Sequence, residues 1–364
     1  MIRSTRSRKA LTATAALALT FTMAACGESD SGSGASGDGG ESVSGSIKGM
    51  GASSQQAAVE KWKADFETAN GGATVNYDPQ GSGAGREQFA AGAVDFAGTD
   101  SAFEEEELDK AKKVCGGDIV QIPVYVSPIA IAYNLPSVKE DIKMDAETVA
   151  KVFAGEIKKW NDDAIASQNE GVELPDTDIT VVHRSDKSGT TKNFVSYLSE
   201  AAPEAWTYEV AEEWPSDITA ESAQGTKGVV GQASSTEGAI TYADASAVGT
   251  LGTVDVKVGD EYVKQSPEAA AKLVETSEEK EDGSLEIDRA TTEQGVYPVV
   301  LVSYHIYCNQ YDSQETVDQV KAFGEYVISE DGQKAAQEAA GNAPITAATR
   351  DAAMKRIEAI SVQG

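Results

Sequence analysis

VVHRSDKSGTTKNFVSYL, residues 181–198, passes from an apolar β-run through small polar residues into a helix. Ile179, Val181 and Val182 read as a buried strand. Asn193, Val195, Tyr197 and Leu198 continue a helix that Ser188, Gly189 and Thr190 open. Such a junction gathers unpaired backbone N–H groups, hydroxyls, the positive end of a helix dipole and the guanidinium of Arg184 at one point, which together write an anion site.

Working outward, the same chemistry recurs. SIKGMGASSQQAAVEKWKADFETAN, from Ser46, is a short strand, a glycine turn and a helix whose start Ser53 or Ser54 caps. Ala58, Trp62, Phe66 and Ala69 give that helix an apolar face, and Asn70-Gly71-Gly72 ends it. A strand at Ala73–Tyr77 then runs into Gly81-Ser82-Gly83-Ala84-Gly85 and a helix through Arg86 and Phe89. Val94 and Phe96 make another short strand that ends at Asp100. Ile119–Asn134, broken by two prolines, reads as two strands or one crossing segment. An apolar helix lies around Thr148–Phe153 and a strand at Glu237–Tyr242. Ser277–Ile287 is a charged loop, Tyr297–Cys308 a β-run, and Glu315–Ile328 and Asp331–Ala340 are helices. Short strands alternating with helices predict an α/β fold whose parallel strands present their loops on one edge. Glu104–Glu107 reads as a solvated acidic helix start.

Composition bounds the function. The 364 residues suffice for two domains, and 40% hydrophobic with 24% charged residues is a globular composition. A net charge of −29 leaves no electrostatic footprint for nucleic acid. Arg3, Arg6, Arg8 and Lys9 precede an apolar run, Ala10–Ala25, with the order of a secretory signal and too short to span a bilayer. Its end, Met23-Ala24-Ala25-Cys26, resembles the lipobox of bacterial lipoproteins, which implies acylation of Cys26 and a lipid anchor outside the cytoplasmic membrane. An ordinary signal peptide with a stray cysteine is the alternative. Loss of residues 1–25 removes four basic and no acidic residues, taking the charge to −33. The Gly/Ser-rich stretch 26–46 is expected to be a flexible tether, with a reach on the order of 25 Å. Cys115 and Cys308 leave a disulfide or two buried thiols open. With two histidines in the chain, His183 and His305, no metal-ligand spacing exists.

Each candidate residue also has a plain explanation, since a serine at a helix start is usually only a cap. Three such junctions, one of them carrying Arg184, favour a shared anion. No GxxxxGK[ST] is present, and the glycines of 81–85 have the wrong interval for a dinucleotide fold. A phosphohydrolase with Ser188 as nucleophile and His183 as base is disfavoured. The two are five positions apart, and no third group is spaced to orient the histidine.

The series GMGASSQQAAVEKW, YDPQGSGAGREQF, VDFAGTD, GEIKKWNDDAIA and RSDKSGTT resembles, in order and over nearly the whole mature chain, the phosphate-binding proteins of bacterial phosphate ABC transporters. The most specific matches are Arg-x-Asp-x-Ser-Gly-Thr at Arg184–Thr190 and Asp-Phe-x-x-x-Asp at Asp95–Asp100. The resemblance implies a two-lobed periplasmic-binding-protein type II fold, with hinge crossings near Val126–Asn134 and Tyr297–Tyr304. The lobes would be 47–128 plus 300–364, and 129–299. It implies phosphate contacts at Ser53, Ser54, Ser82, Asp100, Arg184, Ser188, Gly189 and Thr190, with Asp186 bracing Arg184. Ser54 departs from the family, where a bulky apolar residue is frequent, so its side-chain role is open. The resemblance further implies a monomer with no cofactor that binds inorganic phosphate and delivers it to membrane permease subunits. A binder of another tetrahedral oxyanion is the nearer alternative. Asp100 is informative, because a carboxylate in an anion site repels its ligand unless the ligand brings a proton. Mono- and dibasic phosphate do so, and sulfate does not.

Overall fold

The computed structural model describes residues 43–280 and 282–364. The signal segment and Cys26 lie outside the described residues, as does most of the tether. Ser44, Gly45 and Ser46, assigned above to the tether, are instead in the first strand, Ser44–Gly51, paired with Gly72, Ala73 and Thr74. A backbone ladder needs no apolar side chains to form, so composition alone could not reveal it.

The principal sheet has eleven strands. At one end Gly72–Asp78, Ser44–Gly51 and Phe96–Thr99 run parallel. At the other, Ala239–Asp244, Thr180–Arg184 and Glu221–Ala223 also run parallel. Between them lie two long antiparallel strands, Val300–Cys308 and Ile119–Tyr133. Gly252–Val258, Ile142–Met144 and Glu261–Val263 attach beside the far end of Ile119–Tyr133. The sheet is therefore mixed, with two parallel triplets joined through an antiparallel centre.

Ile119–Tyr133 is one strand despite Pro123 and Pro128. A proline cannot donate to the ladder and is tolerated in a central strand only where pairing is irregular. Pro123 sits at a register shift opposite Ser303 and Tyr304. Pro128 sits where the strand changes partner, from Val300 to Asp244 opposite Ile129.

Helices cover the sheet where apolar faces predict them. Gln56–Ala69 buries Ala58, Trp62 and Phe66, whereas Ala69, read above as part of that face, is exposed at the last turn, and Gln314–Ile328 buries Val320, Phe323 and Val327. The acidic start at Glu104 heads the helix Glu105–Val114 through a reciprocal cap with Glu107. Within Ser277–Ile287, Glu278–Glu279 pairs with Leu285–Glu286 as a short ribbon. Cys115 and Cys308 are joined by a disulfide, S–S 1.99 Å. No helix among the described residues is long and apolar enough to cross a membrane.

Candidate functional site

Both parallel triplets point their carboxyl ends at the same place, the position at which open α/β sheets bind ligands. After Ser44–Gly51 the chain passes Ser53 and Ser54 into the helix Gln56–Ala69, and after Gly72–Asp78 it turns at Gly81 into Ser82–Ala90. After Thr180–Arg184, Ser188 caps Gly189–Ala201, its hydroxyl accepting from Thr191 N at 3.2 Å. A fourth junction escaped the sequence reading: Glu221–Ala223 leads through Gln224 into Gly225–Ser235. Four helix starts thus bring their free N–H groups and positive dipole ends to one site.

Asp100 lies at the centre and is 4% exposed. Ser54 Oγ lies 2.8 Å from each of its carboxylate oxygens, Thr190 Oγ1 donates at 2.9 Å, and Ser303 Oγ donates to Oδ1. Its backbone N–H reaches Ser82 Oγ at 3.1 Å, and its carbonyl accepts from Asn193 Nδ2 at 2.7 Å. Burial raises the Asp100 pKa, while the hydroxyls of Ser303, Ser54 and Thr190 and the charge of Arg184 oppose that rise. The question left open at Ser54 has a geometric answer, because its hydroxyl is a direct partner of the carboxylate.

Arg184 is buried, and Asp186 holds it by one edge, Nε to Oδ1 at 2.8 Å and Nη2 to Oδ2 at 2.5 Å. Asp186 also accepts from Gly225 N at 2.9 Å, which ties the guanidinium to the fourth helix start. Burial pushes the Asp186 carboxyl up, but the hydrogen bonds and charge of Arg184 outweigh it and leave it below the usual range. Ser53 Oγ meets Thr226 Oγ1 at 3.0 Å and accepts from Thr226 N at 3.0 Å, so the first and fourth helix starts touch. Two glycines permit the close approach. A Cβ on Gly189 would lie 2.7 Å from Asp100 Cβ and 2.8 Å from Ser82 Oγ. Gly81, at φ +108°, would place one 2.4 Å from Asp186 Oδ2.

The structure therefore brings Ser53, Ser54, Ser82, Asp100, Arg184, Asp186, Gly189 and Thr190 together, with Ser188 heading their third helix. His183 is turned away from this group. Its ring stacks on Trp214, centroids 5.2 Å apart, and its Nδ1 lies 2.8 Å from the carbonyl of Arg184. Among the described residues no hydrogen bond joins His183 to Ser188 Oγ, so the two are not paired as nucleophile and base.

A second layer was not foreseen. Arg86, on the helix headed by Ser82, forms a two-pronged ion pair with Glu212, Nη1 to Oε1 at 2.9 Å and Nη2 to Oε2 at 2.7 Å. Its Nε donates to Glu107 at 2.8 Å, so that acidic helix start is more than a solvated face. Glu212 also receives the Ser101 hydroxyl, and its backbone carbonyl accepts from Ser188 N at 3.1 Å. No local sequence signal marks this layer, because Arg86 and Glu212 stand 126 positions apart.

A model of the PBP superfamily domain matches residues 36–331. Phosphate-binding protein PstS 3 of Mycobacterium leprae is 34% identical over 287 residues, 76% of this chain and 77% of that protein. Phosphate-binding protein PstS of Xylella fastidiosa is 34% identical over 272 residues, 72% of each. Among solved structures, the high-affinity periplasmic phosphate-binding protein PfluDING bound with phosphate superposes with a TM-score of 0.68. That similarity, at 22% identity, covers 84% of this chain and 92% of that one, and it shows a shared two-lobed α/β fold.

Proposed function

The chain belongs to the PBP superfamily and, within it, to the PstS phosphate-binding proteins, and from that premise we propose that it binds inorganic phosphate outside the cytoplasmic membrane and delivers it to the permease of an ABC transporter. The observation that carries this reading is a buried carboxylate, Asp100, set among four helix starts and Arg184. The dipoles, hydroxyls and guanidinium attract an oxyanion. The carboxylate repels any that lacks a proton to give it. Mono- and dibasic phosphate satisfy both demands at neutral pH.

The ligand set is Ser53, Ser54, Ser82, Asp100, Arg184, Ser188, Gly189 and Thr190, with Asp186 holding Arg184. Residues 44–128 with 300–364 form one lobe, its first strand included, and 129–299 the other. The change of partner at Pro128 within Ile119–Tyr133 supports that division. The protein acts as a monomer that needs no cofactor and catalyses no reaction, held to the membrane through acylated Cys26. Lobe closure around the ion presents the form that the permease recognises.

A calorimetric titration with phosphate, then with arsenate and sulfate as competitors, tests the reading. Phosphate and arsenate, which both carry a proton, bind, and sulfate does not. Sites built around a specific hydroxyl reject analogues lacking it by about 10⁴ to 10⁵. Asp100→Asn is expected to narrow the preference for phosphate over sulfate, and unchanged rejection of sulfate would count against the assignment.

A further inference from the structure

Asp100 has a partner that no helix start supplies. Ser303 lies mid-strand in Val300–Cys308, and the period of two places His305 and Tyr307 on its face. Ser303 and His305 are fully buried. Gln55 Nε2 donates to Ser303 Oγ at 3.2 Å, and Gln55 Oε1 lies 2.9 Å from His305 Nε2. His305 Nδ1 in turn lies 3.1 Å from the Tyr307 hydroxyl.

The polarity of this chain follows from its end. The hydroxyls of Ser54, Thr190 and Ser303 all converge on the Asp100 carboxylate oxygens as donors, so the single proton of Ser303 points at Asp100. The Ser303 oxygen must then accept, and the amide of Gln55 supplies the donor. That turns Gln55 Oε1 towards His305, whose Nε2 carries its proton, and leaves Nδ1 to accept from Tyr307. Burial brings the His305 pKa down to about 3, so the ring is neutral and has one donor and one acceptor to give. Every donor from Tyr307 onward is directed at Asp100.

The other hydroxyls on Asp100 behave differently. Ser54 and Thr190 stand at helix starts of the anion site, where an oxyanion competes for their protons. Ser303 is held from behind by Gln55 and comes from the strand Val300–Cys308 rather than from a helix start.

We propose that Ser303, oriented by Gln55 and His305, is a specificity-determining positioning residue, whose hydroxyl keeps Asp100 an acceptor and so makes the site refuse oxyanions that bring no proton. The proposal rests on the phosphate reading above and adds the device that enforces the choice. Without Ser303 the buried carboxyl loses a donor, takes up a proton more readily, and can then donate to a fully deprotonated anion.

The test is isothermal calorimetry of wild type, Ser303→Ala and Gln55→Met, with phosphate titrated directly and sulfate by competition, alongside thermal melts. For Ser303→Ala, the ratio of sulfate to phosphate Kd is expected to fall at least about tenfold, because the loss falls on phosphate while sulfate gains. Gln55→Met, which leaves the serine hydroxyl free to rotate, is expected to lower the ratio in the same direction by less. Equal weakening of both anions, or an unchanged ratio in a folded Ser303→Ala, would reduce Ser303 to a packing residue and overturn the proposal. Should Ser303→Ala not fold, the ratio in Gln55→Met decides in the same way. A wild-type protein that binds sulfate and not phosphate would instead overturn the functional reading, and this proposal with it.

Discussion

Replacing Glu212 with glutamine separates what holds the two parallel triplets together from what holds each of them folded. Arg86 sits on the helix that Ser82 opens, whereas Glu212 reaches it from the segment whose carbonyl accepts from Ser188 N. The pair thus links elements that carry anion residues at opposite ends of the sheet. Burial pushes the Glu212 carboxyl up, but Arg86 and Ser101 outweigh it and leave the group below its ordinary range, hence ionised at neutral pH. Glutamine keeps the shape and one acceptor oxygen and removes the charge. Breaking a buried pair outright costs about 3–5 kcal/mol. Arg86 would keep its bond to Glu107, so the loss is nearer that of one charge-assisted hydrogen bond, about 2 kcal/mol. If the pair forms only when the lobes close, the cost falls on ligand affinity, and about 2 kcal/mol corresponds to a Kd roughly 30-fold weaker. Glu107→Gln is the control, because it takes one negative charge from the same guanidinium within one end of the sheet. It is expected to lower Tm and leave the phosphate Kd within about twofold. Stopped-flow fluorescence should assign the Glu212→Gln loss to faster release. Equal phosphate affinities for the two variants would show that the ion pair does not report closure.

Gly189→Ala places a methyl carbon 2.7 Å from Asp100 Cβ and 2.8 Å from Ser82 Oγ, so calorimetry should find phosphate binding weakened at least about 100-fold. Retained affinity would show that this helix start can retreat. Asp244 is fully buried, and burial first, with the charge of Asp100 adding, pushes its pKa up to about 6 against the opposing bonds of Ser246 and Ser127. A carboxyl with a folded pKa above its unfolded value stabilises the fold fully at low pH, and that contribution is lost as pH rises through about 6. The resulting penalty at pH 7 is about 3 kcal/mol. Asp244→Asn should therefore raise Tm at pH 7 more than at pH 5, and parallel Tm profiles would refute the assignment. Despite the charge of −29, phosphate affinity should change by less than about threefold between 0.1 and 0.5 M salt, because distant surface charges are already screened beyond about 8 Å. A steep salt slope would place the long-range field above the local dipoles.

The α/β class and the strand, turn, helix junctions at Ser53, Ser82 and Ser188 were legible because their signals are local. Apolar period, a capping hydroxyl and a glycine lie within a few residues of each other. What stayed hidden depends on distant pairing. Ser303 stands 203 positions from Asp100, and Arg86 stands 126 from Glu212. Before folding, nothing near either residue distinguishes it from a strand serine or an amphipathic arginine. The helix start at Gly225 was missed for a different reason, since Gln224 provides no side-chain cap to read. Ile119–Tyr133 could not be resolved into one strand or two, because the rule against proline in a strand is suspended where the ladder slips or changes partner.

That undivided strand also limits how the molecule can admit its ion. Ile119–Tyr133 is bonded to Val300–Cys308 along its first part and to Ala239–Asp244 along its last. Pulling the ends of the sheet apart, or sliding one past the other, would shear a row of backbone hydrogen bonds that have no other partner. Coiling and bending are the soft deformations of a β-ribbon, and both leave the ladder intact. Any parting of the two lobes that keeps this ladder whole would therefore be a change of angle, for which the change of strand partner at Pro128 offers the place.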